Sequence, residues 1–510
     1  MTDSASTIAT LLEHGSESHV ALSAPGGLPL TYGALRSLVS GTMDALASRG
    51  IRGGDRVAIV LDNGPEMAAT FLSIAAGVTA APLNPGYRAE EFEFYLTDLH
   101  AKLLVVAAGK DSAAVGVADR LGIPVARLVA YPELGAGSFD LEFPSSLPVR
   151  AGASGAAAGP DDIALVLHTS GTTSRPKIVP LAQRNVCASA RNIRGTLSLT
   201  PDDVGLCIMP LFHIHGLMAA LLAPLSAGGT VSCTSGFNAL KFFSWLEGVQ
   251  PTWYTGVPTM HQAILKRAPN NSEIAAGNRL RFIRSSSSSL PTRVLGELQA
   301  VFGAPVVEAY GMTEAAHQMA SNPLPPLERK PGTVGPGAGP EVRVADENGE
   351  TAASGVSGEI VIRGENVMRA YENNPKANAD AFIKGWFRTG DLGTMDPDGY
   401  LTISGRLKEI INRGGEKISP REVDEILMAH PAVHQCVCFA IPHEMLGEDV
   451  AAAVVLKEGV EADDKELRQY VAGRLVDFKV PRVIVILKEI PVGATGKLQR
   501  IGLAQKLGLV

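Results

Sequence analysis

The sequence predicts an α/β fold: a large N-terminal domain of layered sheets and helices, then a small α+β C-terminal domain. Three observations lead to this prediction. Strand-like and helix-like runs alternate along the first part of the chain, which favours parallel sheets covered by helices. The chain has 510 residues, beyond the size at which a single hydrophobic core stops growing. The last hundred or so residues have a different order, with strand-like runs between two helix-like segments.

The N-terminal elements follow from local apolar patterns. Short apolar runs at residues 56–61, 79–83, 103–107 and 163–167 are typical of buried strands. Residues 65–76 and 89–96 lie between them and are typical of helices. Pro65 suits a first helical turn, because its missing N–H needs no partner there. Residues 150–160, rich in Gly and Ala, are interpreted as a surface loop.

The C-terminal elements predict a compact unit of their own. A small sheet is expected at residues 341–344 and 359–363, and a boundary falls near residues 404–408. Beyond it, residues 422–429 and 464–475 resemble helices, whereas residues 433–441 and 451–456 alternate like strands. We therefore predict two domains, residues 1–405 and 406–510.

Composition and charge narrow the classes of function. Hydrophobic residues make up 45% of the chain and charged residues 19%, as in ordinary globular proteins. A net charge of −7 disfavours a nucleic-acid partner. No secretory signal or membrane span is expected, because the apolar run at residues 67–83 is short and is broken by Pro82. The five cysteines are odd in number and lack zinc-type spacing, so neither a disulfide framework nor a metal site is expected, and a reducing cytoplasm fits. Cys436 and Cys438 lie in an alternating, strand-like run and are interpreted as buried thiols.

One polar loop carries the strongest functional signal. Residues 168–177 read His-Thr-Ser-Gly-Thr-Thr-Ser-Arg-Pro-Lys and follow the predicted strand at 163–167. Gly171 lets successive N–H groups turn toward one anion, while the hydroxyls and Lys177 add donors and charge. Such a loop suits a polyphosphate. It is not a Walker loop, since Pro176 stands where that motif requires glycine.

Two further segments gather polar side chains. Residues 308–314, Glu-Ala-Tyr-Gly-Met-Thr-Glu, are predicted to follow a strand at 305–307. There Tyr310 offers a flat face for a purine, Thr313 can donate to phosphate, and Glu314 is a hard oxygen ligand for Mg²⁺. Residues 386–391 are predicted to place Asp391 after a tight turn, where its carboxylate can accept from a ribose diol, and Arg406 can add a further contact.

These motifs together resemble the ANL superfamily of acyl-CoA synthetases, adenylation domains and luciferases. The matching stretches occur in the family's order at residues 169–177, 310–314, 389–391, 405–409, 414–417 and 491–497. The resemblance implies a large N-terminal domain, a mobile C-terminal domain and two half-reactions. A carboxylate first attacks the α-phosphate of Mg-ATP and expels pyrophosphate. The thiol of coenzyme A then displaces AMP from the acyl-adenylate.

Residue roles are implied by the same resemblance. The phosphate site comprises Thr169, Ser170, Gly171, Thr172, Thr173 and Lys177. The adenosine site comprises Glu308, Ala309, Tyr310, Gly311, Asp391 and Arg406. The catalytic residues are Lys497, Thr313 and Glu314, with Glu314 holding Mg²⁺ and Lys497 bridging the carboxylate and the α-phosphate. Lys408 matches the hinge, and Arg413, Gly414 and Gly415 match the loop that meets coenzyme A. Ile178 departs from the pattern, since many relatives carry glycine there.

Five segments narrow the resemblance to the oxalyl-CoA synthetase branch: residues 168–177, 210–216, 253–259, 312–323 and 412–420. The implied substrate is oxalate, a small dianion whose second carboxylate needs cations or strong donors rather than an apolar tunnel. The predicted donors are His213, His215, Arg284, Ser287 and His317. Each histidine could instead serve only as scaffold or gate.

Other functions remain open from the sequence. Within the same class, the alternatives are ligases of malonate, of short or medium fatty acids, or of aryl acids. From another class, the chain could be a non-catalytic binder of AMP, although Lys497 and Glu314 argue against this. A monomer and a homodimer fit equally well.

Overall fold

The computed structural model describes residues 5–150, 152–169, 176–491 and 498–510. Within them the chain forms two compact units. Of the described residues, unit 1 comprises 5–150, 152–169, 177–341 and 363–379, and unit 2 comprises 176, 342–362, 380–491 and 498–510. The proposed boundary between residues 405 and 406 stays a prediction.

The strands of the described residues are, in chain order, β1 (Val20–Ser23), β2 (Leu30–Thr31), β3 (Arg56–Val60), β4 (Thr79–Pro82), β5 (Leu103–Ala107), β6 (Val125–Ala130), β7 (Phe139–Glu142), β8 (Ile163–Thr169), β9 (Lys177–Ala182), β10 (Val204–Cys207), β11 (Thr230–Cys233), β12 (Trp253–Gly256), β13 (Phe282–Ser285), β14 (Val306–Met312), β15 (His317–Ser321), β16 (Glu341–Ala345), β17 (Gly358–Arg363), β18 (Phe382–Ile383), β19 (Trp386–Met395), β20 (Leu401–Arg406), β21 (Ile411–Arg413), β22 (Glu416–Ile418), β23 (Val433–His443), β24 (Gly447–Leu456) and β25 (Val483–Leu487).

The α-helices of the same residues are α1 (Ile8–Leu11), α2 (Tyr32–Ser48), α3 (Pro65–Ala75), α4 (Ala89–Asp98), α5 (Ala113–Leu121), α6 (Gln183–Thr196), α7 (Ala223–Ser226), α8 (Phe242–Val249), α9 (Pro258–Arg267), α10 (Ser272–Ala276), α11 (Thr292–Phe302), α12 (Pro375–Ala381), α13 (Pro420–Met428), α14 (Asp464–Ala472) and α15 (Leu503–Lys506). A π-helix spans Gly216–Leu222, and short 3₁₀ turns include Thr313–Ala315 and Leu407–Glu409.

Unit 1 contains two mainly parallel sheets. One has the order β15-β14-β13-β12-β10-β11-β1-β2, and the other has the order β7-β6-β5-β3-β4-β8-β9. Their inner strands pair in parallel, whereas β15, β2, β7 and β9 add antiparallel edges. Helices α8, α9 and α11 cover the first sheet with an apolar core that includes Phe242, Tyr254 and Leu298. The parallel sheets covered by helices are as predicted.

Unit 2 contains two smaller sheets. One runs β16-β17-β19-β18 with β20 on β19, and the other runs β22-β21-β24-β23 with β25 on β24. The second sheet packs its apolar residues against α13 and α14, with Val423, Leu427 and Leu467 fully buried. Asp463 caps α14 by accepting the N–H of Glu466 at 2.7 Å. The predicted α+β character of this region is confirmed.

Two local predictions were wrong. Residues 308–312 do not follow the strand predicted at 305–307, since β14 continues through Met312 and pairs with β15. Asp391 does not come after a turn between elements but lies inside β19. The residue before it, Gly390, has a φ of +74°, so the kink expected from the glycine occurs within the strand.

All five cysteines are free and buried, so the buried thiols predicted at Cys436 and Cys438 are confirmed. No helix in the described part of the chain has the length and apolar character that crossing a membrane requires.

Candidate active site

A buried arginine lies where the parallel strands of unit 1 end. Arg284 is on β13, and its register partner on β12 is Thr255. Both residues come near the carboxyl ends of their strands, the edge at which open α/β sheets bind ligands. The Arg284 side chain has no exposed surface. The guanidinium of Arg284 therefore places a positive charge in the site, out of contact with water.

Four side chains surround this guanidinium. One terminal nitrogen of Arg284 lies 3.1 Å from Nε2 of His317 and 3.3 Å from Nε2 of His215. The same nitrogen is 3.4 Å from Thr255 Oγ1, and the other terminal nitrogen donates to Gln318 Oε1 at 3.2 Å. The imidazoles of His215 and His317 stack with centroids 4.7 Å apart and planes 18° apart.

The arrangement fixes the protonation of the two histidines. A guanidinium has only donors, so the two Nε2 atoms that face it must accept and carry no proton. Thr255 then donates its hydroxyl proton to His215 Nε2 over 2.7 Å. The proton of His215 is on Nδ1 and is donated to Ser287 Oγ at 3.0 Å. Both imidazoles are thus neutral, and Arg284 supplies the positive charge.

Arg284 has no anionic partner within the described part of the chain. Among the residues that the structure describes, no carboxylate forms an ion pair with it, and its Nε has no hydrogen-bond partner. Burial lowers the pKa of Arg284 to about 9, so the side chain is still charged at neutral pH. A buried charge normally has a partner, because desolvating it costs several kcal/mol. An anionic ligand would supply the missing compensation.

Backbone conformation at this site is unusual. Ser287 and His317 have φ values of +72° and +91°, which side-chain-bearing residues rarely adopt. Such residues persist where surrounding contacts hold them, and they cluster at ligand sites. Gly311 permits the β14–β15 approach, because a Cβ there would lie 2.0 Å from the His317 carbonyl oxygen. The glycine of the predicted nucleotide motif thus also positions a predicted substrate residue.

A second group of residues centres on Glu314. The Tyr371 hydroxyl donates to Glu314 Oε1 at 2.8 Å, and Lys177 Nζ lies 4.3 Å from the centroid of the Tyr371 ring. Burial and the neighbouring carboxylate raise the pKa of Tyr371, which keeps it a donor. Thr313 belongs to the same 3₁₀ turn as Glu314. The structure therefore joins a predicted metal ligand to a predicted phosphate ligand through one tyrosine.

The residues on either side of the phosphate loop are held by strand pairing and by a side-chain contact. Thr169 ends β8 and pairs with Lys177, which starts β9. His168 Nε2 lies 2.9 Å from Asp98 Oδ2, and burial lowers the pKa of His168 below its ordinary value. Ser170, Gly171, Thr172 and Thr173 lie outside the described residues. The phosphate role of the loop stays a prediction.

The predicted adenosine residues of unit 1 lie on β14. The Glu308 carboxylate accepts the N–H of Gly332 at 3.2 Å, and the Ala309 carbonyl accepts the Ser286 hydroxyl at 2.9 Å. Tyr310 is buried on the same strand. The serine run at 285–289 and the motif at 308–314 are therefore neighbours.

The remaining predicted residues belong to unit 2. Arg406 pairs with Asp391 across β19 and β20, with Nε 3.0 Å from Oδ1, so two residues predicted to contact one ribose are together. Lys408 lies on the exposed turn Leu407–Glu409. Arg413, Gly414 and Gly415 lie at the end of β21 and in the turn that leads to β22. Lys497 lies outside the described residues.

Sequence reasoning missed three side chains of the site. These are Thr255 and Gln318, which contact Arg284, and Tyr371, which contacts Glu314. His213 was predicted together with His215, and its ring packs on that of Phe212 with centroids 4.5 Å apart. A signal existed for Thr255, since it stands in one of the segments that carry the resemblance. The same signal existed for Gln318, which stands in residues 312–323, whereas nothing local indicated Tyr371.

Comparison with known proteins identifies the family. A model of the AMP-binding enzyme family matches residues 13–372, and a model of the AMP-binding enzyme C-terminal domain matches residues 422–497. The chain belongs to the AMP-binding enzyme family. It is an AMP-forming acyl-CoA synthetase of the ANL superfamily, which joins a small carboxylate to coenzyme A at the expense of ATP.

Individual relatives sharpen the comparison. The chain is 45% identical to an oxalate–CoA ligase of Arabidopsis thaliana over 95% of both chains. It is 41% identical to an oxalate–CoA ligase of Saccharomyces cerevisiae over 88% of this chain and 86% of the other. Among solved structures, ATP-bound MatB from Rhodopseudomonas palustris matches with a TM-score of 0.88 and 30% identity over 98% of both chains. The predicted family and fold are thus confirmed.

Proposed function

We propose that this acyl-CoA synthetase takes oxalate as its acid and forms oxalyl-CoA through an oxalyl-adenylate. The observation that carries the proposal is Arg284, a buried cation without a carboxylate partner among the described residues. His215 and His317 beside it, and Ser287 beside His215, add hydrogen-bonding groups within a few ångströms. The similarity to two oxalate–CoA ligases supports the same acid.

The charge balance favours a dianion over a fatty acid. One carboxylate of the acid must stay nucleophilic and attack the α-phosphate, so it cannot be the group that neutralises Arg284. The second carboxylate of oxalate can pair with the guanidinium and compensate the burial of both charges. A fatty acid or a cinnamate would instead place apolar atoms against an unpaired charge.

In the first half-reaction, the chain would hold Mg-ATP and orient the acid. We assign the β- and γ-phosphates to residues 169–173 and Lys177, and the adenosine to Glu308, Ala309, Tyr310, Gly311, Asp391 and Arg406. We assign Lys497 to the developing negative charge between the carboxylate and the α-phosphate, where a preorganised cation contributes most.

Magnesium fits the donor set at Glu314. Mg²⁺ is commonly bound by one or two carboxylates together with substrate phosphates, and Glu314 offers a hard oxygen next to Thr313. Tyr371 orients this carboxylate by donating to Oε1. The described residues contain no group of three or more His, Cys, Asp or Glu side chains that could hold a metal by themselves. The bound ion would neutralise charge on the phosphates.

In the second half-reaction, residues 406–510 would act as the mobile domain. We assign Lys408 to the hinge and the turn at Arg413, Gly414 and Gly415 to the path of the pantetheine arm. Glycines there let the backbone approach the ligand closely. A cytoplasmic location is part of the same proposal, because it supplies ATP and coenzyme A and its reducing conditions suit the free thiols.

The deciding experiment measures AMP formation that depends on coenzyme A with oxalate, malonate, hexanoate and a cinnamate. We expect oxalate to be preferred in kcat/KM by about a hundredfold, or roughly 2.7 kcal/mol in transition-state binding. A preference for hexanoate or cinnamate would overturn the proposed acid and leave the adenylate-forming mechanism in place. A preference for malonate would leave the proposed role of Arg284 unchanged and would show that the preferred diacid is longer than oxalate.

A further inference from the structure

Two glycine-containing turns lie side by side in unit 2. One connects β21 to β22 and contains Gly414 and Gly415. The other connects β23 to β24 and ends at Gly447, which pairs with Arg413. The second turn belongs to none of the motifs that carry the family resemblance.

Three hydrogen bonds join the β21–β22 hairpin to the β23–β24 hairpin. The N–H of Gly414 donates to the Leu446 carbonyl at 2.8 Å, and the N–H of Asn412 donates to Glu448 Oε2 at 2.7 Å. Arg413 Nε donates to Asp449 Oδ1 at 2.6 Å. Three successive residues, the last two of β21 and the first of the turn, are thus each held by a residue of the neighbouring hairpin.

Asp449 is the buried member of this set. Its residue is 2% exposed, whereas the side chain of Arg413 is 28% exposed. Asp449 Oδ1 also accepts the N–H of Val450 at 2.9 Å, which fixes the carboxylate to its own strand. A carboxylate held from both sides sets the direction of the arginine and of the turn beyond it.

The first turn needs such support because of its sequence. Gly414 and Gly415 have φ values of +62° and +97°, and adjacent glycines lose more conformational entropy on ordering than other residues. A Cβ at Gly415 would meet no atom within 4 Å. Packing therefore does not order Gly415, and its backbone stays open to a ligand.

We propose that Asp449, assisted by Glu448, is a positioning residue for the thioester-forming step. It holds the Gly414–Gly415 turn in the conformation that receives the pantetheine arm, and so lowers the entropy lost when coenzyme A binds. This inference rests on the proposed function, because it assigns the turn to coenzyme A.

The test separates the two half-reactions in the purified full-length enzyme. Adenylate formation is followed by oxalate-dependent exchange of pyrophosphate into ATP, and thioester formation by oxalyl-CoA product at varied coenzyme A. For Asp449→Asn we expect kcat/KM for coenzyme A to fall about tenfold to a hundredfold, the usual result of a misplaced positioning group. Exchange should stay within about twofold of the unmodified enzyme.

Two further variants keep the result interpretable. Lys479→Gln removes an ion pair with Glu422 elsewhere in unit 2 and should leave both half-reactions unchanged. Glu448→Gln weakens the hydrogen bond from the N–H of Asn412 without removing a buried charge. It should lower kcat/KM for coenzyme A by a smaller factor than Asp449→Asn and leave pyrophosphate exchange unchanged. It carries the test if Asp449→Asn does not fold. Equal loss in both half-reactions, or no loss in either, overturns the inference. If the unmodified enzyme forms no thioester with any acid, the proposed function fails instead.

Discussion

Arg284 in unit 1 and Arg500 in unit 2 are both largely buried, yet their surroundings differ in charge. Arg500 donates to Asp424 Oδ2 at 2.5 Å and to Glu409 Oε2 at 3.1 Å. Burial alone would lower the pKa of Arg500, but these carboxylates raise it above its ordinary value. Arg284 has neutral neighbours, and burial lowers its pKa to about 9.

The difference separates an arginine that stabilises the fold from one that fits a ligand. The protein itself compensates Arg500, so its charge contributes to holding unit 2 together. The charge of Arg284 has no compensation among the described residues, so its desolvation is a cost until an anion binds. Substituting Arg284 should therefore impair catalysis with little effect on stability, whereas substituting Arg500 should lower the stability of the protein.

The largest expected effect is on catalysis. Arg284→Met should lower kcat/KM for oxalate by roughly a thousandfold, or about 4 kcal/mol, because the second carboxylate loses its charged partner in a dry site. The free energy of unfolding, measured by urea denaturation, should change by no more than about 1 kcal/mol, since lost hydrogen bonds offset the relief of a buried charge.

The matched control is Arg500→Met. It leaves Asp424 buried and unpaired, so we expect it to lower the free energy of unfolding by about 3 to 5 kcal/mol. If both substitutions destabilise the protein equally, Arg284 is a structural residue and the comparison fails.

Alkaline pH provides the next test. Below about pH 9 Arg284 is protonated and can hold a carboxylate, whereas above it the charged fraction falls. Calorimetric titration should show oxalate binding weakening by about tenfold per pH unit above that value, while ATP binding changes by less than about twofold. Between about pH 9 and the higher, ordinary pKa of arginine, the unfolded chain binds more protons than the folded chain at this group. The group therefore stabilises the folded state as pH rises there, and unfolding would not explain the loss of oxalate binding.

His317→Ala sharpens the comparison at a neighbour of Arg284. We expect the KM for oxalate to rise about tenfold to thirtyfold, because a hydrogen-bonding group and the stacked partner of His215 are lost together. The KM for ATP should rise by no more than about twofold. An unchanged KM for oxalate would remove His317 from the acid site.

Tyr371→Phe should have the smallest effect. It keeps the ring beside Lys177 and removes only the hydrogen bond to Glu314, so the apparent KM for Mg-ATP should rise about threefold to tenfold. Titration with Mg²⁺ should restore most of the rate if Glu314 holds the ion. A rate that does not depend on added Mg²⁺ would argue that Tyr371 acts on something else.

The sequence predicted what depends on local patterns. The strands and helices of unit 1 follow from apolar periodicity, and the motif residues from their order along the chain. It could not predict that Tyr371 reaches Glu314 across 57 residues, because that contact depends on tertiary packing. Nor could it show that Arg284 has no carboxylate partner among the described residues, since charge compensation is decided by what the fold brings near. The continuation of β14 through Met312 was missed because Gly311 disfavours a strand locally.

Gly311 limits how this enzyme could acquire another acid. Any side chain at that position would collide with the carbonyl of His317, so a single substitution there would disturb the nucleotide motif and the acid site at once. New specificities are therefore expected from changes at side chains that contact Arg284 from other strands, such as Thr255 and Gln318. A library that varies these two positions and keeps residue 311 fixed should yield enzymes with altered acid preference far more often than one that varies residue 311.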